Sequence, residues 1–244
     1  MRYVKHLVFA LVVFGAWEAG GRFGNPDVLP PFSAVVAAFV DILFGPLPAA
    51  LFESLRLLVI GFSTALALGV FLGLVVGRYR WLDRTLSPYF SGLYALPTVA
   101  LVPLVLIWFG FDLSGRVVVV FLASFFPILI NVYQGARDTP PDLLEVARSF
   151  GVRHEWGLVR RVVIPAAVPF ILAGVRLGIG RGVVGMAIAE VYLRLSGLGT
   201  LIATYGSSFQ TAYLIAAILP LPFLGIVLTK LLALLERRFQ VWST

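Results

Sequence analysis

Five stretches of the chain, residues 55–77, 89–110, 117–134, 165–192 and 212–235, are long apolar runs in which charge is nearly absent. A run of about 20 apolar residues matches the hydrocarbon thickness of a bilayer, about 30 Å. A soluble chain of 244 residues could not bury so many of them. Composition agrees, with 60% apolar and 13% charged residues, against about 45–50% and about 25% in ordinary soluble domains. Backbone donors and acceptors in lipid must be satisfied within the segment, and these runs are far too long for barrel strands, so they read as helices.

A sixth run, residues 3–19, follows Arg2 and Lys5 like the start of a secretory signal. It lacks a clean small-x-small cleavage site, so it reads as a retained first span. The expected fold is an all-α polytopic membrane protein with six transmembrane helices, a single transmembrane domain over residues 1–244 with its core at about 50–240. Pro30-Pro31 and Ser33 predict a short surface helix over 34–44 with Ser33 as its N-cap. Pro97 and Pro103 predict kinks in the third span.

Basic residues orient the chain. With the N-terminus inside, 13 of the 19 Lys and Arg fall in cytoplasmic segments, 3 outside (Arg22, Arg116, Arg194) and 3 in or at spans. This is a positive-inside pattern with both termini in the cytoplasm. The net charge of +7 is then topological bias rather than affinity for nucleic acid.

The connection over 135–164 is the longest cytoplasmic one, and it mixes five Arg with Asp138, Asp142, Glu145 and Glu155. Thr139-Pro140-Pro141-Asp142 predicts a helix start, with Thr139 as cap and the prolines in the first turn, where a missing donor costs nothing. Gly151 predicts the end of that helix, and 152–163 a second short helix. Taken alone, this is a solvated charged loop or a small docking surface.

Several chemistries are excluded by inventory. The chain has no Cys and two His, His6 and His154, both on the expected cytoplasmic side, so neither an intramembrane Ser-His pair nor a metal site is expected. Neither Lys lies in a Gly-x-x-x-x-Gly-Lys-Ser/Thr loop. ATP-driven work therefore needs an ATPase on another chain.

Glu145-Val146-Ala147-x-x-x-Gly151, followed by Val162-x-Ile164-Pro165, resembles the "EAA" loop of membrane subunits of bacterial binding-protein-dependent ABC importers. Leu96-Pro97-Thr98-Val99-Ala100-Leu101-Val102-Pro103-Leu104 with Trp108-Phe109-Gly110, Arg160-Arg161-Val162-Val163-Ile164-Pro165-Ala166-Ala167 through Pro169, and Ala189-Glu190 with Ser196-Gly197-Leu198-Gly199 resemble its nitrate, sulfonate, taurine and pyrimidine-precursor branch. The second Ala of the motif is Val146 here, and the stretch from Gly151 to the proline is one residue longer.

The resemblance implies a type I importer permease fold in the bacterial inner membrane, working as a homodimer. Its implied partners are two cytoplasmic ATPase subunits, which use ATP and Mg while this chain binds no cofactor, and an external solute-binding protein. It also implies a coupling helix at about 147–157, with Glu145, Ala147, Gly151, Arg153 and Trp156 as docking residues. The solute is expected to be a small anion, a sulfonate or a pyrimidine-like vitamin precursor.

Gly174, Gly178, Gly182 and Gly185 form a small-residue stripe on the fifth span, suited to close helix packing. Arg176, Arg181 and Glu190 are ionisable groups at membrane depth and candidates for the translocation path. Arg176 and Glu190 are 40° apart around an ideal helix and about 21 Å apart along it. Arg176 can also snorkel to headgroups, Arg181 can pair within the bundle, and Glu190 can serve structure or gating. The competing class, an ion-coupled secondary carrier or channel, calls for intramembrane acids or a broken-helix site, and Glu190 is the only acid expected within a span.

Overall fold

The computed structural model describes residues 2–239, with side chains from Lys5 to Leu234. Met1 and residues 240–244 lie outside it, as do the side chains of Arg2, Arg237 and Arg238 in the cytoplasmic charge count. The described chain is helical: α1 (Arg2–Phe23), α2 (Phe32–Leu43), α3 (Leu47–Arg78), α4 (Arg80–Ala95), α5 (Thr98–Phe109), α6 (Leu113–Arg137), α7 (Pro141–Ser149) and α8 (Glu155–Leu158). A π-helical turn over Val159–Val163 then leads into α9 (Ile164–Leu193), followed by α10 (Leu198–Ser207), α11 (Thr211–Ile218) and α12 (Pro220–Phe239).

By length and composition, four described segments are able to cross a bilayer: Leu47–Arg78, Leu113–Arg137, Glu155–Leu193 and Thr211–Leu234. The bent pair α4–α5 brings the number to five if it counts as one span. These spans outrun the apolar runs that predict them. The helix expected over 55–77 starts at Leu47, because Pro48 sits in its first turn and Glu53, Ser54 and Arg56 continue the helix. Glu190 is therefore not the only acid on a span-length helix, since Glu53 lies on α3. Arg116, assigned to an outer loop by the charge count, lies within the first turns of α6 and is buried.

The segment expected as one kinked span over 89–110 is two helices meeting at 99°. Proline pushes the residue before it out of the helical region, and Leu96 accordingly adopts φ −69° and ψ 132°. Pro103 lies inside α5 with no break. The helix expected over 34–44 begins at Phe32 with Pro31 in the capping position, not Ser33. Ser33 instead gives its backbone N–H and hydroxyl to the Glu18 carboxylate, at 2.8 and 2.9 Å.

The chain divides into two compact units. The first comprises Met1–Leu55 and Glu190–Leu224. Its core packs Val35, Ala38 and Ile42 of α2 with Leu198 of α10 and Ala216 and Ala217 of α11. Trp17 ties α1 to the following turn through a hydrogen bond from its Nε1 to the Pro30 carbonyl, 3.0 Å.

The second unit comprises Arg56–Ala189 and Gly225–Thr244, and α6 is its central helix. Glycines on two neighbours let their backbones approach α6 closely. A Cβ on Gly73 of α3 would lie 2.7 Å from the Val132 Cβ, and one on Gly178 of α9 would lie 2.8 Å from the Ile128 Cγ1. Gly174, Gly182 and Gly185 face Asn131, Ser124 and Ala123 of the same helix. Gly61, Gly69 and Gly77 of α3 make a second stripe, against Val120, Ile128 and Ala136. Sequence reading missed this one, although its spacing carries the same signal.

Candidate functional site: a docking segment and a helix-break cavity

The connection over 135–164 folds into a helix, a turn and a helix start. Pro141 opens α7 at its first position, with Pro140 in the capping position. Thr139, expected as the cap, is buried, and its hydroxyl donates to the Gly135 carbonyl at 3.4 Å. Gly151 closes the helix at φ +86°, a conformation glycine adopts without strain. Its N–H meets the Arg148 carbonyl and that of Val152 meets the Ala147 carbonyl, both at 3.0 Å. These two bonds make the Schellman pattern of helix termination.

No continuous helix spans 147–157, and none stands alone over 152–163. The chain turns over 150–154, and Glu155 begins a helix that runs through the π turn into α9. Pro165 has no N–H for the carbonyl four residues back. The helix adapts with the wider π spacing just before it, where the Ile164 N–H bonds to the Val159 carbonyl.

Glu145, Gly151, Arg153 and Trp156 are exposed and Ala147 is half-buried. Sequence reading missed what surrounds them. Leu143, Val146 and Phe150 follow at i, i+3 and i+7, so they share one side of α7 and its end. They are exposed, Phe150 to 84%, and Trp156 to 69%. An exposed apolar stripe rimmed by charge marks a surface built to be covered, and the helical spacing of those residues was the available signal.

Glu155 sits where three elements meet. It accepts a hydrogen bond from Arg78, the last residue of α3, at 2.6 Å, and lies 3.9 Å from an Arg148 nitrogen in the last turn of α7. A cavity of about 800 Å³ separates residues 66–79, the end of α3 and the residue after it, from the helix start at Glu155–Ile164. Its walls are almost entirely apolar, with Phe71, Leu74 and Trp156 prominent.

A second cavity, of about 410 Å³, opens at the break between α4 and α5. Leu96, Pro97, Tyr94 and Thr98 line it together with Phe126 of α6 and Arg181 of α9. Arg181 is exposed, and it makes no hydrogen bond or ion pair among the described residues. Arg176 is also exposed.

Glu190, within the first unit, is fully buried. Its carboxylate accepts from the Ser54 hydroxyl at 2.8 and 2.9 Å and from the Gly199 N–H at 2.9 Å. Ser54 in turn accepts the Leu198 N–H at 2.8 Å. The carboxylate thus takes the Gly199 N–H in the first turn of α10, as an N-cap residue does, and orients the Ser54 hydroxyl that takes the Leu198 N–H. Gly197 stands against it at φ +97°, where a Cβ would lie 2.1 Å from a Glu190 oxygen.

Span-length helices, an exposed apolar stripe on α7 and a cavity at a helix break that holds one arginine belong to a polytopic membrane protein. The family comparison makes this specific. Residues 65–241 match the binding-protein-dependent transport system inner membrane component family, and the chain belongs to it. It is similar to a putative aliphatic sulfonates transport permease protein of Bacillus subtilis (strain 168), 32% identical over 98% of this chain and 88% of the relative. It also resembles the riboflavin transport system permease protein of Chloroflexus aurantiacus, 34% identical over 96% of this chain and 87% of the relative. A third relative is the formylaminopyrimidine transport permease protein of Halalkalibacterium halodurans, 28% identical over 96% and 94%. The chain is the transmembrane subunit of an ABC importer and a multi-pass protein of the cytoplasmic membrane. The secondary carrier or channel is not favoured.

Proposed function

We propose that two copies of this chain, each a single permease domain of six spans with both termini in the cytoplasm, form the pore of the importer. Two ATPase subunits bind the docking segments from the cytoplasm, using ATP and Mg that this chain does not hold. A solute-binding protein delivers cargo from outside. ATPase closure draws the docking segments together and opens the pore outward, and hydrolysis resets it.

The observation that carries this reading is the exposed apolar stripe Leu143, Val146, Phe150 and Trp156, set among the charges of Glu145 and Arg153. A helix presenting such a face fits a groove on a partner. Within it, Glu145 supplies a charge-assisted contact, Ala147 and Gly151 allow close backbone approach, and Arg153 and Trp156 are anchor residue types.

The cargo is a small anion such as a sulfonate or nitrate, supported by Arg181 at the helix-break cavity and by the sulfonate permease among the relatives. A pyrimidine-type vitamin precursor is the second reading, favoured by the formylaminopyrimidine permease. Arg176 is a weaker path candidate, and the enclosed carboxylate of Glu190 supports an anchoring role.

The test is assembly in detergent. Glu145→Lys or Gly151→Trp is expected to leave insertion intact while weakening co-purification of the ATPase or separating hydrolysis from transport. A thiol at Ser149→Cys should react with impermeant reagent only from the cytoplasmic face. Normal assembly and coupled transport in both docking variants would remove the docking assignment.

A further inference from the structure

We infer that Glu155 is a positioning residue which ties the docking segment to the end of α3, so that the ATPases move α3 as well as α9. This rests on the docking reading above. The helix that starts at Glu155 is covalently continuous with α9, so α9 follows the docking segment without further help. α3 has no such link. Across from the helix start it is separated by the 800 Å³ apolar cavity, and at the end of that cavity stands the 2.6 Å bond between Arg78 and Glu155.

The geometry suits a transmitting contact. Arg78 ends α3 and Glu155 begins the helix that runs into α9, so each charge complements the dipole of its own helix end. Arg148 lies 3.9 Å from the other carboxylate oxygen, which makes the carboxylate the common partner of α3, α7 and the helix start. The Arg78 side chain is 19% exposed and that of Glu155 is 50% exposed. A pair this open to solvent is of limited strength, and it can break and reform as the docking segment moves. The π turn at Val159–Val163 lies directly behind it, and such turns concentrate at functional sites.

The test uses the full complex with its ATPase and loaded solute-binding protein. The reading is the ratio of ATP hydrolysis with and without the binding protein, beside co-purification of the ATPase and thermal stability in detergent. Arg78→Gln and Glu155→Gln should each keep the ATPase bound and lower the ratio about threefold or more, and the double variant should be no worse than Glu155→Gln alone, because that change already removes the Arg78 pair. Arg78→Lys, which keeps the charge, should retain most of the ratio.

An unchanged ratio with the ATPase bound would overturn the tie. So would losses that multiply in the double variant, or a loss of stability that accounts for the change. Loss of the ATPase from Glu155→Gln alone would make Glu155 a docking contact, which also overturns it. Failure of the docking reading is seen separately, in Glu145→Lys and Gly151→Trp complexes that assemble and couple normally.

Discussion

Two carboxylates, Glu190 in one unit and Glu155 in the other, show opposite uses of the same group. Glu190 is buried and accepts hydrogen bonds from the Ser54 hydroxyl and the Gly199 N–H. Glu155 is half exposed and faces two guanidinium groups. A charge removed from water is costly unless its hydrogen bonds are complete, so the first arrangement persists only as a fixed anchor. The second keeps solvent as an alternative partner, which leaves it free to change. Burial, more than charge, sets how firmly each carboxylate is held.

The largest effect that would break this comparison is expected at Glu190. Glu190→Ala strands the Ser54 hydroxyl and the Gly199 N–H, and it should cost on the order of 3 kcal/mol of stability. Thermal unfolding and expression are expected to fall together, with Glu190→Gln intermediate. A stable Glu190→Ala protein with altered transport would transfer this residue from the anchor to the path.

Arg181 should behave in the opposite way. It makes no hydrogen bond or ion pair among the described residues, so Arg181→Gln should leave thermal stability unchanged. Uptake of the binding protein's cargo into reconstituted vesicles should fall about tenfold, the scale of one lost charge-assisted contact, and Arg181→Lys should recover part. Loss of stability in step with uptake would instead assign it to structure.

The smallest effect is expected at Gly151→Ala. Nothing lies within 4 Å of a Cβ built there, so the cost is backbone strain at φ +86°, about 1 kcal/mol. Chemical denaturation in mild detergent measures it. A loss several times larger would mean that the turn is packed more tightly than the open space around Gly151 implies.

What was legible in the sequence is what local chemistry determines. Pro141 and Gly151 bound α7 through rules that act within one turn. Pro97 announces a disturbance, but its 99° amplitude depends on packing that no single residue encodes. Glu53, Ser54 and Arg56 made α3 look shorter than it is, because polarity near a helix end resembles a boundary. The partners of the two carboxylates were out of reach for a simpler reason. Ser54 lies 136 residues from Glu190, and Arg78 lies 77 from Glu155. Gly197 before Leu198 did hint at a helix start, yet the group that caps it is Glu190, seven residues before that glycine.

The glycine contacts on both sides of α6 have a thermodynamic consequence. A glycine entering a helix interface freezes no side-chain rotamer, so α3 and α9 meet α6 without that entropic opposition. Within a bilayer the remaining attraction is dispersion between closely fitted surfaces, which is lost steeply on separation and tolerates little sliding. On α9 these glycine contacts run from Gly174 to Gly185, and the helix start at Glu155 lies outside that gripped stretch.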